Sequence, residues 1–136
     1  MTFFSEPKMK RSVVVFENGT HGPMEGRTSY SAVLEMKEDP VIQCIKARAG
    51  NFTSTPDRAQ ESLQVVRYYP GQTYYPHWDF FPHESMMANP YDVEVGPRST
   101  TFLVYLNDEK DGLKGGETDF PRLDFEVDPK KNSART

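Results

Sequence analysis

The sequence predicts an α+β chain whose β part is a sandwich or jelly roll, and three observations carry that expectation. One helical segment, centred on residues 39–50, is followed by several short strand candidates separated by turn signals. From Leu63 onward the apolar spacing changes from helical to strand-like. Thr100 to Leu106 is an uninterrupted apolar run, the pattern of an interior strand covered on both faces.

The elements follow in chain order. Ser12 to Phe16 is a β-branched run closed by Asn18-Gly19, a strong turn pair. Loop residues through Gly22-Pro23 and Gly26 lead to an extended stretch from Arg27 to Ser31. Asp39-Pro40 opens the helix, with Asp39 as N-cap and proline at the first helical position. Val41, Ile42, Ile45 and Ala49 recur at helical spacing, and Gly50-Asn51 reads as the helix end. Ser54 to Asp57 reads as a turn or a short helix start. Leu63 to Tyr69 is a strand, and Pro70-Gly71 has the residue order that a type II turn favours. Thr73 to Phe81 reads as extended, and Pro82 to Pro97 as a long polar loop. After the charged turn region from Asn107 to Gly116, Leu123, Phe125 and Val127 alternate with acidic residues, which predicts a half-buried strand ended by Pro129.

Composition narrows the class of protein. A chain of 136 residues suits one domain with a sizeable core. Sixteen Lys and Arg against 20 Asp and Glu give a net charge of −4, which supplies no electrostatic reason to expect nucleic acid or an anionic membrane. The lone Cys44 rules out an internal disulfide and a Cys-based zinc site, and it reads as a small buried hydrophobe on the helix. Met1 to Phe4 is too short an apolar run for a signal peptide, and no stretch reaches membrane-spanning length. A soluble chain is expected, cytoplasmic by default, or in the endoplasmic reticulum if a signal lies upstream.

The chemistry concentrates at His77-Trp78-Asp79, flanked by Tyr68-Tyr69-Pro70-Gly71-Gln72 and Phe80-Phe81. On an extended strand, side chains at i and i+2 leave one face, roughly 7 Å apart at the backbone. His77 and Asp79 can therefore converge on one metal ion, with Trp78 directed to the other side. One His and one Asp are two members of the 2-His-1-carboxylate triad that holds non-haem Fe(II) with open positions.

The motifs Gln64-Val65-Val66-Arg67-Tyr68, Pro70-Gly71-Gln72, Tyr74, His77-Trp78-Asp79, Arg98, Thr101-Phe102-Leu103-Val104-Tyr105-Leu106-Asn107 and Gly115-Gly116-Glu117-Thr118 occur in this order. As an ordered set they make the sequence resemble the prolyl 4-hydroxylase branch of the Fe(II)/2-oxoglutarate dioxygenases. The resemblance runs from Arg27 to Pro121 and extends toward Pro129-Lys130-Lys131, so 1–136 is expected to be a single, partial domain of that family. It implies a double-stranded β-helix (jelly roll) core with a flanking N-terminal helix. It also implies His77 and Asp79 as iron ligands, Tyr68 and Thr118 as hydrogen-bond partners of 2-oxoglutarate, and Arg98 beside a bound substrate. The implied cofactors are Fe(II), 2-oxoglutarate as co-substrate, O2, and L-ascorbate to keep the iron reduced. The implied activity is an oxidoreductase that hydroxylates a prolyl substrate, either a proline-containing peptide or a small molecule.

The family's second histidine and its basic 2-oxoglutarate residue follow the Gly-Gly-Glu-Thr motif, whereas no histidine occurs after Thr118 here. Lys130, Lys131 and Arg135 are basic but do not stand in that motif. The chain is therefore expected to be a truncated relative, incomplete at its C-terminus, that grips Fe(II) weakly. A catalytically inactive binding or interaction module is the alternative reading. Several single residues also keep a plainer reading: Tyr68 as a core aromatic, Thr118 as an ordinary strand residue, Arg98 as half of a surface ion pair. Tyr74 and Tyr105 are assigned to packing, and His21 and His83 to solvated loops.

Overall fold

The computed structural model describes residues 9–16, 20–34, 39–80 and 96–135. Of these, the residues up to 75, with 96 and 97, form one compact unit; Pro76–Phe80 and 98–135 form a second. The predicted α+β character holds: one helix and several small antiparallel sheets.

In the first unit β4 (Tyr30–Leu34) is central, between β1 (Lys10–Arg11) and β5 (Leu63–Arg67). Its register pairs Ala32 with Val65 and Leu34 with Leu63, so β-branched and aliphatic residues meet across the ladder. Ser12 and Ser29 are fully buried and satisfy each other, with the Ser29 hydroxyl 2.9 Å from Ser12 Oγ and Ser12 N–H donating to Ser29 O. The predicted run from Ser12 to Phe16 yields only β2 (Val14–Val15), which forms a hairpin with β3 (His21–Gly22). His21 is exposed there, in a strand and not a loop.

Helix α1 (Pro40–Thr53) begins as the sequence predicts. The Asp39 carboxylate accepts from Val41 N–H at 2.8 Å and Ile42 N–H at 3.3 Å, and Pro40 occupies a position whose missing N–H costs nothing. Asp39→Ala is expected to lower stability by about 1 kcal/mol in urea denaturation, and Asp39→Ser to restore most of it.

The far end of the helix departs from prediction. It runs through Gly50 to Thr53 and stops at Ser54, which is left-handed with φ 57°. Gly50 is buried inside the last turns, where Thr55 and Gln60 close over it; a Cβ there would meet Thr55 O at 2.7 Å. The glycine serves close approach, not termination. Lys46 Nζ ties Asp57 at 2.9 Å, docking the short 3-10 turn Asp57–Ala59 on the helix.

The apolar spacing also overstates the buried face. Only Ile42, Ala49 and Gly50 are buried on α1, while Val41 and Ile45 are exposed. Cys44 is exposed as well, because it lies off the 42–49 stripe, which corrects its reading as a buried hydrophobe. Among the described residues the buried apolar side chains are Ala32, Ile42, Ala49 and Tyr105, a smaller core than chain length suggests.

The Pro70-Gly71 turn forms as read. Gln72 N–H donates to Tyr69 O at 2.9 Å and Gly71 takes φ 80°, the type II geometry. Beyond it Thr73–Tyr75 run back along Gly26–Thr28, with Thr28 N–H to Thr73 O and Tyr75 N–H to Gly26 O. The predicted long strand to Phe81 is not formed: only Tyr74 makes a bridge, to Arg27, and Pro76, which has no N–H, opens a bend. Phe81, His83 and the predicted loop through residue 95 lie outside the described residues.

In the second unit β6 (Leu103–Val104) pairs with β9 (Ala134–Arg135), and β7 (Thr118–Phe120) pairs with β8 (Phe125–Val127). The expectation that Thr100 to Leu106 is covered on both faces is overturned. Leu103, Val104 and Leu106 are 39%, 40% and 57% exposed. The run has β9 as its strand partner among the described residues, and no sheet or helix of its unit closes over those three side chains. The half-buried reading of the second strand fails for Leu123 and Phe125, both exposed, while Phe120 and Phe125 stack across the hairpin at 6.1 Å.

A turn at Lys130–Ser133 returns the chain onto Tyr105, whose N–H and C=O bond Ser133 O and Asn132 N–H. Lys131 Nζ donates to Asp111 at 2.9 Å, beside the capped 3-10 turn Glu109–Asp111. That hydrogen bond holds the Asp111 carboxyl below its usual range and keeps Lys131 protonated above the usual lysine range.

Candidate metal centre

His77, Trp78 and Asp79 lie in the irregular stretch Pro76–Phe80 of the second unit, not on a regular strand. The i, i+2 spacing still brings the two donors together: His77 Nε2 and Asp79 Oδ1 are 3.3 Å apart. Two ligands at bond lengths of about 2.1 Å, in adjacent positions of an octahedron, stand about 3 Å from each other. The pair therefore fits two neighbouring positions around one divalent ion. Both side chains are half-exposed, so an ion would have open faces toward solvent. Among the described residues no group of three His, Cys, Asp or Glu side chains surrounds such a point.

The other carboxylate oxygen is already engaged. Thr101 Oγ1 donates to Asp79 Oδ2, leaving Oδ1 to face the imidazole. Carboxylates held in this way by an outer hydroxyl present one oxygen in a fixed direction. Trp78 is 62% exposed, with Phe80 against its ring at 5.5 Å and the Arg122 guanidinium over it at 4.8 Å. Trp78 and Phe80 are thus an aromatic pair open to solvent.

Thr118 opens β7, delivered there by Gly115 and Gly116, both at positive φ, 75° and 87°. Its hydroxyl lies 2.7 Å from that of Tyr105, which also reaches Val127 O at 3.5 Å. Tyr105 does more than pack. Its buried ring carries a hydroxyl that hydrogen-bonds that of Thr118, with either able to donate. Arg98 is exposed at the start of the stretch leading to β6.

Tyr68 follows β5 in the first unit and is exposed, which sets aside its reading as a core aromatic. The structure thus brings together His77, Asp79 and Thr101, and separately Tyr105 and Thr118. Thr101, Tyr105 and Arg122 were assigned no such contacts by sequence reasoning. Their signal was present in part: Thr101, Leu103 and Tyr105 alternate, which puts the two hydroxyls on one side of an extended segment.

The profile of the 2OG-Fe(II) oxygenase superfamily matches residues 63–135. The chain belongs to that superfamily. The match embraces His77, Asp79, Thr101 and the Tyr105–Thr118 couple. Among curated proteins this superfamily member is similar to prolyl 4-hydroxylases. It is 40% identical over 119 residues to prolyl 4-hydroxylase 5 of Arabidopsis thaliana, covering 86% of this chain and 38% of that protein. It is 36% identical over 133 residues to prolyl 4-hydroxylase subunit alpha-2 of Caenorhabditis elegans, covering 96% of this chain and 24% of that protein. Probable prolyl 4-hydroxylase 3 of Arabidopsis thaliana is 37% identical over 118 residues, with 38% of its length covered. The chain thus spans about two fifths or less of the curated relatives it matches. No helix among the described residues is long and apolar enough to cross a membrane.

Proposed function

We propose that this chain carries the His-x-Asp half of a prolyl 4-hydroxylase-type site, within one partial domain of double-stranded β-helix ancestry. The observation that carries the reading is the 3.3 Å approach of His77 Nε2 to Asp79 Oδ1, inside the segment that matches the superfamily. His77 and Asp79 would hold Fe(II). When bound with 2-oxoglutarate and O2, that ion supplies the oxidation that turns a prolyl C–H bond into C–OH, with release of succinate and CO2. L-ascorbate serves to keep the iron reduced.

The chain's own residues have simpler tasks. Asp79 neutralises part of the ion's charge through Oδ1, and His77 contributes a neutral nitrogen donor. Thr118 and Tyr68 are read as hydroxyl donors to the 2-oxoglutarate carboxylates, which they can bind without adding charge. Arg98 is read as a donor to a backbone carbonyl of a proline-containing peptide. The similarity to prolyl 4-hydroxylases supports a prolyl substrate, peptidyl or small.

A second reading is a binding module that holds substrate without turnover. One assay separates the two. The purified chain is loaded with Fe(II) under argon, then given O2, 2-oxoglutarate, ascorbate and a proline-rich peptide, and succinate is quantified. Succinate release that rises with peptide and disappears in Asp79→Ala is the expected result. A folded chain that binds peptide yet releases no succinate above the metal-free control sinks the enzyme reading and leaves the binding module.

A further inference from the structure

We infer that Thr101 is a positioning residue for the metal pair: its hydroxyl fixes the Asp79 carboxylate so that one oxygen alone is offered to a divalent ion. The inference rests on the reading of His77 and Asp79 as that pair. A carboxylate on a half-exposed bend has two equivalent oxygens and a nearly free terminal torsion, broad and roughly two-fold. Left alone, it would present either oxygen, or both, to an ion. Thr101 removes that choice. Its Oγ1 donates to Oδ2, and Oδ1 then faces His77 Nε2 at 3.3 Å.

The threonine is suited to this by its place in the chain. It stands 22 residues from Asp79, just before β6, and the following Leu103–Val104 are tied to β9. Four residues after Thr101, Tyr105 is buried, with its backbone bonded to Asn132 and Ser133. The donor is thus set on a pinned segment, while its acceptor sits on a bend held by no ladder. The β-branched side chain adds stiffness at χ1, so Oγ1 keeps its direction. A hydroxyl also leaves the pair's charge unchanged, whereas a Lys or Arg in its place would compete with the ion for the carboxylate.

The chain has a single tryptophan, and it lies between the two proposed ligands, so quenching of Trp78 fluorescence by Co(II) reports binding locally. Thr101→Val keeps the shape and removes the hydroxyl; Thr101→Ser keeps the hydroxyl. Thr101→Val should weaken Co(II) binding by roughly 10- to 100-fold, the range for outer-shell partners, and Thr101→Ser should stay within about threefold of the parent. The visible absorption of bound Co(II) should change in Thr101→Val and return in Thr101→Ser, which a general loss of folding would not reproduce.

Thr101→Val binding like the parent would overturn the positioning role and leave the His77–Asp79 pair standing. No rescue by serine would overturn it too. Quenching in the parent that survives Asp79→Ala would overturn both the pair and the role of Thr101.

Discussion

Asp79→Ala is expected to remove Co(II) or Fe(II) binding at His77–Asp79 almost entirely, by on the order of 100-fold or more. That exceeds the 10- to 100-fold of an outer-shell change, because a ligand itself is lost. The reason is arithmetic. With two donors in contact at 3.3 Å, deleting one halves the set and removes its only anion. His77→Ala should act almost as strongly. His21→Ala is the matched control, since His21 is an exposed histidine on β3 outside the proposed pair and should leave binding unchanged. Isothermal titration under argon decides it: equal affinities for the parent and Asp79→Ala would remove the metal site from consideration.

Gly50→Ala is expected to destabilise the chain by about 2 kcal/mol, the opposite of what an exposed helical position would show. In an open helix interior the same change would stabilise by about 1 kcal/mol, through lower backbone entropy in the unfolded state. Here the added carbon would meet Thr55 O at 2.7 Å and Gln60 Nε2 at 2.5 Å. Gln60 is flexible at its far end and can withdraw, whereas the Thr55 carbonyl belongs to the backbone that caps the helix. Gly50→Ala/Gln60→Ala should therefore recover only part of the loss. Urea denaturation at neutral pH gives the comparison. A raised midpoint for Gly50→Ala alone would show that the turn at 54–60 does not close over the helix.

The contrast between Gly50 and Gly71 shows where sequence reading succeeds. Pro70-Gly71 is a local signal: four residues decide a type II turn, and Gly71 adopts the required φ of 80°. Asp39-Pro40 is equally local, and it caps α1 as expected. Gly50 carries the same kind of signal for a helix end, yet a segment up to ten residues later decides its role. Local composition has no access to that packing.

Thr100 to Leu106 and Leu123 to Val127 make the same point for strands. Their apolar spacing states what they could bury, while coverage depends on which elements of the fold lie over them. In the described residues Leu103, Val104, Leu106, Leu123 and Phe125 remain exposed. The ordered motifs from Gln64 to Thr118 were enough to indicate the superfamily, because they fix several residue types in a set order along the chain.

The residue order alone determined the α+β class, the helix start, the Pro-Gly turn and the His-x-Asp donor pair. Each depends on contacts within a few positions along the chain, where spacing and geometry are nearly the same thing. Tertiary structure decided which carboxylate oxygen of Asp79 is free, that Tyr105 shares a hydrogen bond with Thr118, and that Gly50 is buried. Those partners lie 22, 13 and up to 10 residues apart. Their meeting follows from how the chain turns back on itself, which no local pattern encodes.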